Sequence, residues 1–129
     1  PSTSSAASDV YKRQILDRAY SALIDDLSDR GMLDDTLLIA MGEFGRTPKI
    51  SNRAAREHHK DCYFSIWAGG GIEPGRVIGE SDAKAEHPIT RPITPLQVGT
   101  TIAELCGIGA RKRAEMKVLD GGSVIHELI

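Results

Sequence analysis

Two short apolar runs, Thr36-Leu37-Leu38-Ile39-Ala40-Met41 and Tyr63-Phe64-Ser65-Ile66-Trp67-Ala68, limit this chain more than any other feature. Both are too short for an ordinary helix, and both are nearly continuous rather than alternating. Such runs read as strands buried on both faces, the pattern of a parallel sheet. Between them, residues 42–61 are polar and irregular, and Gly69-Gly70-Gly71 closes the second run.

Helical periodicity flanks the pair. Ile15, Leu16, Ala19, Tyr20, Leu23, Ile24 and Leu27 recur at spacings that make one apolar helix face, with Gly31 as the stop. Downstream, Thr94-Pro95-Leu96-Gln97 predicts a helix start, with an N-cap threonine, proline at N1 and glutamine at N3. That helix is expected to reach Gly107, with Leu96, Ile102, Ala103, Leu105 and Cys106 available for burial. A short strand is expected at residues 76–78 and a loop over 82–93. In the tail, 118–119 and 123–125 flank Asp120-Gly121-Gly122, which predicts a terminal hairpin.

Helix, strand, long loop, strand and helix make half of a doubly wound α/β architecture. Two central strands are too few for such a sheet, since their apolar edges need neighbours. Residues 15–129 are therefore expected to be the C-terminal portion of a larger domain. Residues 1–14 open on a low-complexity Pro-Ser-Thr-Ser-Ser run and read as a disordered, non-native leader.

Composition excludes some functions. Sixteen Lys and Arg against eighteen Asp and Glu lack the basic excess of a general nucleic-acid binder. No apolar run approaches the roughly 20 residues that span a bilayer. Cys62 and Cys106 form no C-x-x-C pair and read as two inert core thiols, although a disulfide between them stays open.

The chemistry is expected in Gly42-Glu43-Phe44-Gly45-Arg46-Thr47-Pro48 and in Arg56-Glu57-His58-His59. The first segment follows a strand, where α/β sheets bind ligands. A carboxylate with an imidazole can hold a divalent metal, and Arg46 or Arg56 can grip an oxyanion with a bidentate fork. The plainer readings are a Glu43–Arg46 ion pair that orders the turn and solvent-facing histidines that diverge along an extended chain. The pair is neither H-x-x-x-H nor H-E-x-x-H, and His87 and His126 read as structural.

These strings, with residues 33–38, Ala68-Gly69-Gly70-Gly71-Ile72, Arg91-Pro92-Ile93-Thr94-Pro95 and Asp120-Gly121-Gly122, resemble the 1501 family of domains of unknown function. That family is similar to the alkaline-phosphatase and sulfatase superfamily. The resemblance implies the C-terminal part of an alkaline-phosphatase-like doubly wound sheet. It implies a metal-dependent sulfate- or phosphate-ester hydrolase, inactive as this portion alone. Glu43, Arg46 and His58 would be catalytic, with Glu43, Glu57 and His58 around zinc, calcium or magnesium. The nucleophile would lie in the missing N-terminal part of the domain. Expected partners are a sulfated or phosphorylated small molecule or glycan and that missing part, and the family suggests an exported or periplasmic protein. Phe44 stands where the superfamily has a histidine ligand, and Ala55 and Glu57 depart from the family's Gly-Arg-Asp-His. The missing histidine at Phe44 motivates an alternative, a non-catalytic anion- or glycan-binding descendant.

Overall fold

A computed structural model describes the backbone of residues 5–52 and 54–129, and the side chains of the first helix from residue 11 onward, residue 12 apart. Helix α1 spans Ser5–Asp29. Residues 1–4 of the expected leader lie outside the described residues. Residues 5–14 are helical rather than irregular, because extending an existing helix adds one hydrogen bond for each residue fixed.

Gly31 stops the helix as expected. Its φ is 66°, its amide reaches the Ser28 carbonyl at 2.9 Å, and the Met32 amide reaches the Leu27 carbonyl at 2.8 Å. That paired closure needs a left-handed residue, which glycine adopts without a Cβ penalty.

The two apolar runs supply strands β1, Leu38–Met41, and β4, Ser65–Ala68. They pair with each other and run antiparallel, with Leu38 opposite Ala68 and Met41 opposite Ser65. The parallel expectation is thus corrected for this pair. Nor is either strand buried on both faces, since their residues are half-buried or exposed, and the chain between the runs turns back with no crossover helix among the described residues. Helix α1 meets the pair through Tyr20, whose hydroxyl stands 3.5 Å from both the Leu38 and Ile66 carbonyls. Along α1, Tyr20, Ile24 and Leu27 are half-buried, while Ile15, Leu16 and Leu23 stay exposed.

A second ribbon occupies the polar loop. Strands β2, Gly45–Arg46, and β3, His58–His59, pair antiparallel, with Gly45 opposite His59 and Arg46 opposite His58.

Helix α2 spans Pro95–Leu105 and opens with the expected capping box between Thr94 and Gln97. It buries Gln97, Thr100 and Thr101 rather than the expected apolar set; Leu96 and Cys106 are exposed. The threonine hydroxyls donate to the Leu96 and Gln97 carbonyls at 2.7 and 2.8 Å. That satisfies them within the helix, so their methyl-bearing faces can be buried. A further helix, α3, spans Ala110–Met116 and buries Arg113, which donates to Glu104 and to the Ile108 carbonyl.

The expected hairpin is replaced by turns and a 3-10 helix at His126–Leu128, and residues 76–78 form no strand. Leu119 and Gly121 take φ of 55° and 69°, and the Ile125 amide donates to the Thr101 hydroxyl. A tertiary bond to α2 has taken a donor that a hairpin ladder would use. Neither cysteine is buried and both are free thiols, which corrects the reading of two core thiols.

Among the described residues, Ile125 is the one fully buried hydrophobic side chain. The chain exposes 9799 Å², about half as much again as the roughly 6,700 Å² of a compact monomer of its mass.

Candidate functional site

The β2–β3 ribbon gathers the segments expected to carry the chemistry. Gly45 makes the pairing possible: it is buried, and a Cβ there would overlap the Cys62 carbonyl oxygen. The ladder continues as the Thr47 amide donates to the Glu57 carbonyl at 3.0 Å and the Glu57 amide donates to the Thr47 hydroxyl at 3.0 Å.

Directly opposed residues project to the same face of a ribbon, and residues two apart share that face. Arg46 and His58 are opposed, and Phe44 precedes Arg46 by two. The rings of Phe44 and His58 accordingly meet with centroids 3.7 Å apart and a 32° tilt. The Arg46 guanidinium carbon lies 5.0 Å from the centre of the Phe44 ring. Glu57, adjacent to His58 on an extended chain, faces the other way.

The expected site residues therefore divide. Arg46 and His58 come together, with Phe44 between them. Glu57 lies on the opposite side, and Glu43 is exposed with no ion pair to Arg46 among the described residues. No three His, Cys, Asp or Glu side chains among the described residues form a group able to hold a metal ion. The donor set on this ribbon does not fit a metal by itself.

What the ribbon does hold is positive charge. Arg46 donates to the Arg56 carbonyl at 3.3 Å, and Arg56 donates to the Thr47 carbonyl at 2.7 Å and to the Pro48 carbonyl. Neither guanidinium pairs with a carboxylate among the described residues, whereas Arg30, Arg76, Arg91, Arg111 and Arg113 each do. Residues 46–60 carry five Lys and Arg against one Glu. That local density agrees with the reading of Arg46 or Arg56 as an oxyanion ligand, and the whole-chain charge near zero does not show it.

The neighbouring loop is braced separately. His59 Nε2 lies 2.9 Å from the Glu86 carbonyl, and His87 Nδ1 lies 3.9 Å from Asp61. The backbone amides of Glu86, Lys84 and His87 hold the Asp82 carboxyl below its usual range. A hydrogen bond from Lys60 likewise lowers Asp61. Burial, then Asp82 and Asp61, push the Cys62 thiol up, the opposite of an activated nucleophile. A separate open groove beside Arg76, Thr90 and Arg91 is lined by guanidinium groups already bonded to Glu73 and Glu127.

A family model described as a protein of unknown function, DUF1501, matches residues 4–129. No curated protein and no solved structure matches this chain.

Proposed function

This chain belongs to the DUF1501 family, and we propose that its β2–β3 ribbon binds the anionic group of a sulfate or phosphate ester. The observation that carries the reading is the pair Arg46 and Arg56, fixed by backbone carbonyls and left without carboxylate partners among the described residues. A guanidinium is always charged and presents its N–H donors in a planar fork. Sulfate and phosphate oxygens match that fork two at a time. His58 stands on the same face and can add a donor to the same anion.

The reading has a structural companion: the chain works as part of a larger α/β domain of the doubly wound, alkaline-phosphatase-like kind. Its large exposed area and its two-stranded β1–β4 sheet support this, because such surfaces become stable when further strands and helices cover them.

A metal-dependent ester hydrolase is the second reading. It draws on the resemblance and on an exposed imidazole beside an arginine, with Glu43 or Glu57 supplying acid–base or metal-binding groups. It requires ligands from outside the described residues.

Calorimetric titration with inorganic sulfate and phosphate tests the first reading. Binding that disappears in Arg46→Ala and survives in Arg111→Ala is the expected result. Absence of binding, or equal loss in both variants, overturns it. Turnover of an aryl sulfate or phosphate that needs added zinc, calcium or magnesium and falls in Glu43→Ala would establish the second.

A further inference from the structure

The geometry points to Phe44 as a positioning residue of this anion site, one that prearranges Arg46 and His58 rather than touching the anion. The inference rests on the reading of Arg46 as an anion ligand.

Arg46 and His58 are both exposed, and Phe44 between them is half-buried. An exposed arginine on a two-residue strand has many rotamers, and fixing it on an anion costs conformational entropy. The Phe44 ring reduces that cost. Its negative face attracts the guanidinium 5.0 Å away, and its flat surface carries the imidazole at 3.7 Å. The Arg56 carbonyl holds Arg46 from a second direction at 3.3 Å. Ring and carbonyl together leave the arginine fork fewer orientations, and His58 is held on the same side of the ribbon.

The resemblance puts Phe44 where the superfamily has a histidine ligand. Its contacts give the phenyl ring a different role: it replaces coordination by stacking and turns the position into a platform for two nitrogen-bearing side chains.

The test is sulfate titration of the full chain by calorimetry, for wild type, Phe44→Leu and Phe44→Tyr, with proton NMR of the His58 ring. Leucine keeps apolar bulk and removes the aromatic face; tyrosine keeps both. We expect Phe44→Leu to bind sulfate about two- to fivefold more weakly, the size of a surface cation–π contact. The ring-current displacement of the His58 protons should vanish with it, and Phe44→Tyr should restore both readouts. Sulfate binding that still needs Arg46 but is unchanged in Phe44→Leu overturns the inference and leaves the anion site standing. A loss that tyrosine does not restore assigns Phe44 to packing alone and also overturns it. If Arg46→Ala binds sulfate like wild type, the anion site itself falls, and the role of Phe44 falls with it.

Discussion

The Ile125 amide donates to the Thr101 hydroxyl at 2.9 Å, and both residues are buried, so one threonine oxygen joins the C-terminal segment to α2. The same hydroxyl donates its proton to the Gln97 carbonyl at 2.8 Å. Thr101→Val keeps the shape and removes the acceptor, stranding the Ile125 N–H. The expected loss is about 1–3 kcal/mol, read as a lower urea midpoint with an unchanged slope. Thr101→Ser keeps the oxygen and should lose less.

Gly45 sets how closely the ribbon approaches residue 62. Gly45→Ala should cost about 1–3 kcal/mol through overpacking and should weaken sulfate binding by disturbing the Arg46–His58 register. Gly42→Ala is the control. Its added Cβ would meet only the Phe44 carbonyl oxygen, at an ordinary 3.5 Å, so the change in midpoint should stay within about 0.5 kcal/mol.

Acid should release the loop around residues 81–88. Amides of Glu86, Lys84 and His87 lower the Asp82 pKa in the folded state, so this loop's stabilisation is present above the unfolded carboxyl pKa. It is lost as pH falls through the lower, folded value. Hydrogen exchange at the Glu86 and His87 amides should accelerate in that window. Asp82→Asn, which cannot ionise, should show faster exchange at neutral pH and no acid transition.

The two thiols should differ in reactivity. Cys106 is exposed, whereas Cys62 is half-buried with its thiolate disfavoured by burial and by Asp82 and Asp61. Iodoacetamide near pH 8 should therefore alkylate Cys106 several-fold faster, as followed by mass spectrometry. Equal rates would contradict the placement of Cys62 beside the two carboxylates.

Local chemistry made some elements legible and left others hidden. Gly31 and the Thr94–Gln97 box act within a few residues of where they stand, and both were readable. Strand positions were readable from apolar runs, but the antiparallel direction of β1 and β4 was not, because direction depends on the path of the chain between them. The α2 face was misjudged because threonines that bond their own helix can be buried like apolar residues. At the site, the resemblance grouped Glu57 with His58, although neighbours on an extended chain project to opposite faces. The stacking of Phe44 on His58 needed the Arg46–His58 register, which no local pattern encodes.

The scarcity of buried apolar side chains also has a calorimetric meaning. A chain that exposes 9799 Å² when folded uncovers roughly 10,000 Å² on melting, against roughly 13,000 Å² for a compact monomer of its mass. Its heat-capacity step should fall short of the roughly 12–15 cal/mol/K per residue of compact domains. Its stability curve should then be shallow, with no pronounced optimum on cooling, and its endotherm broad.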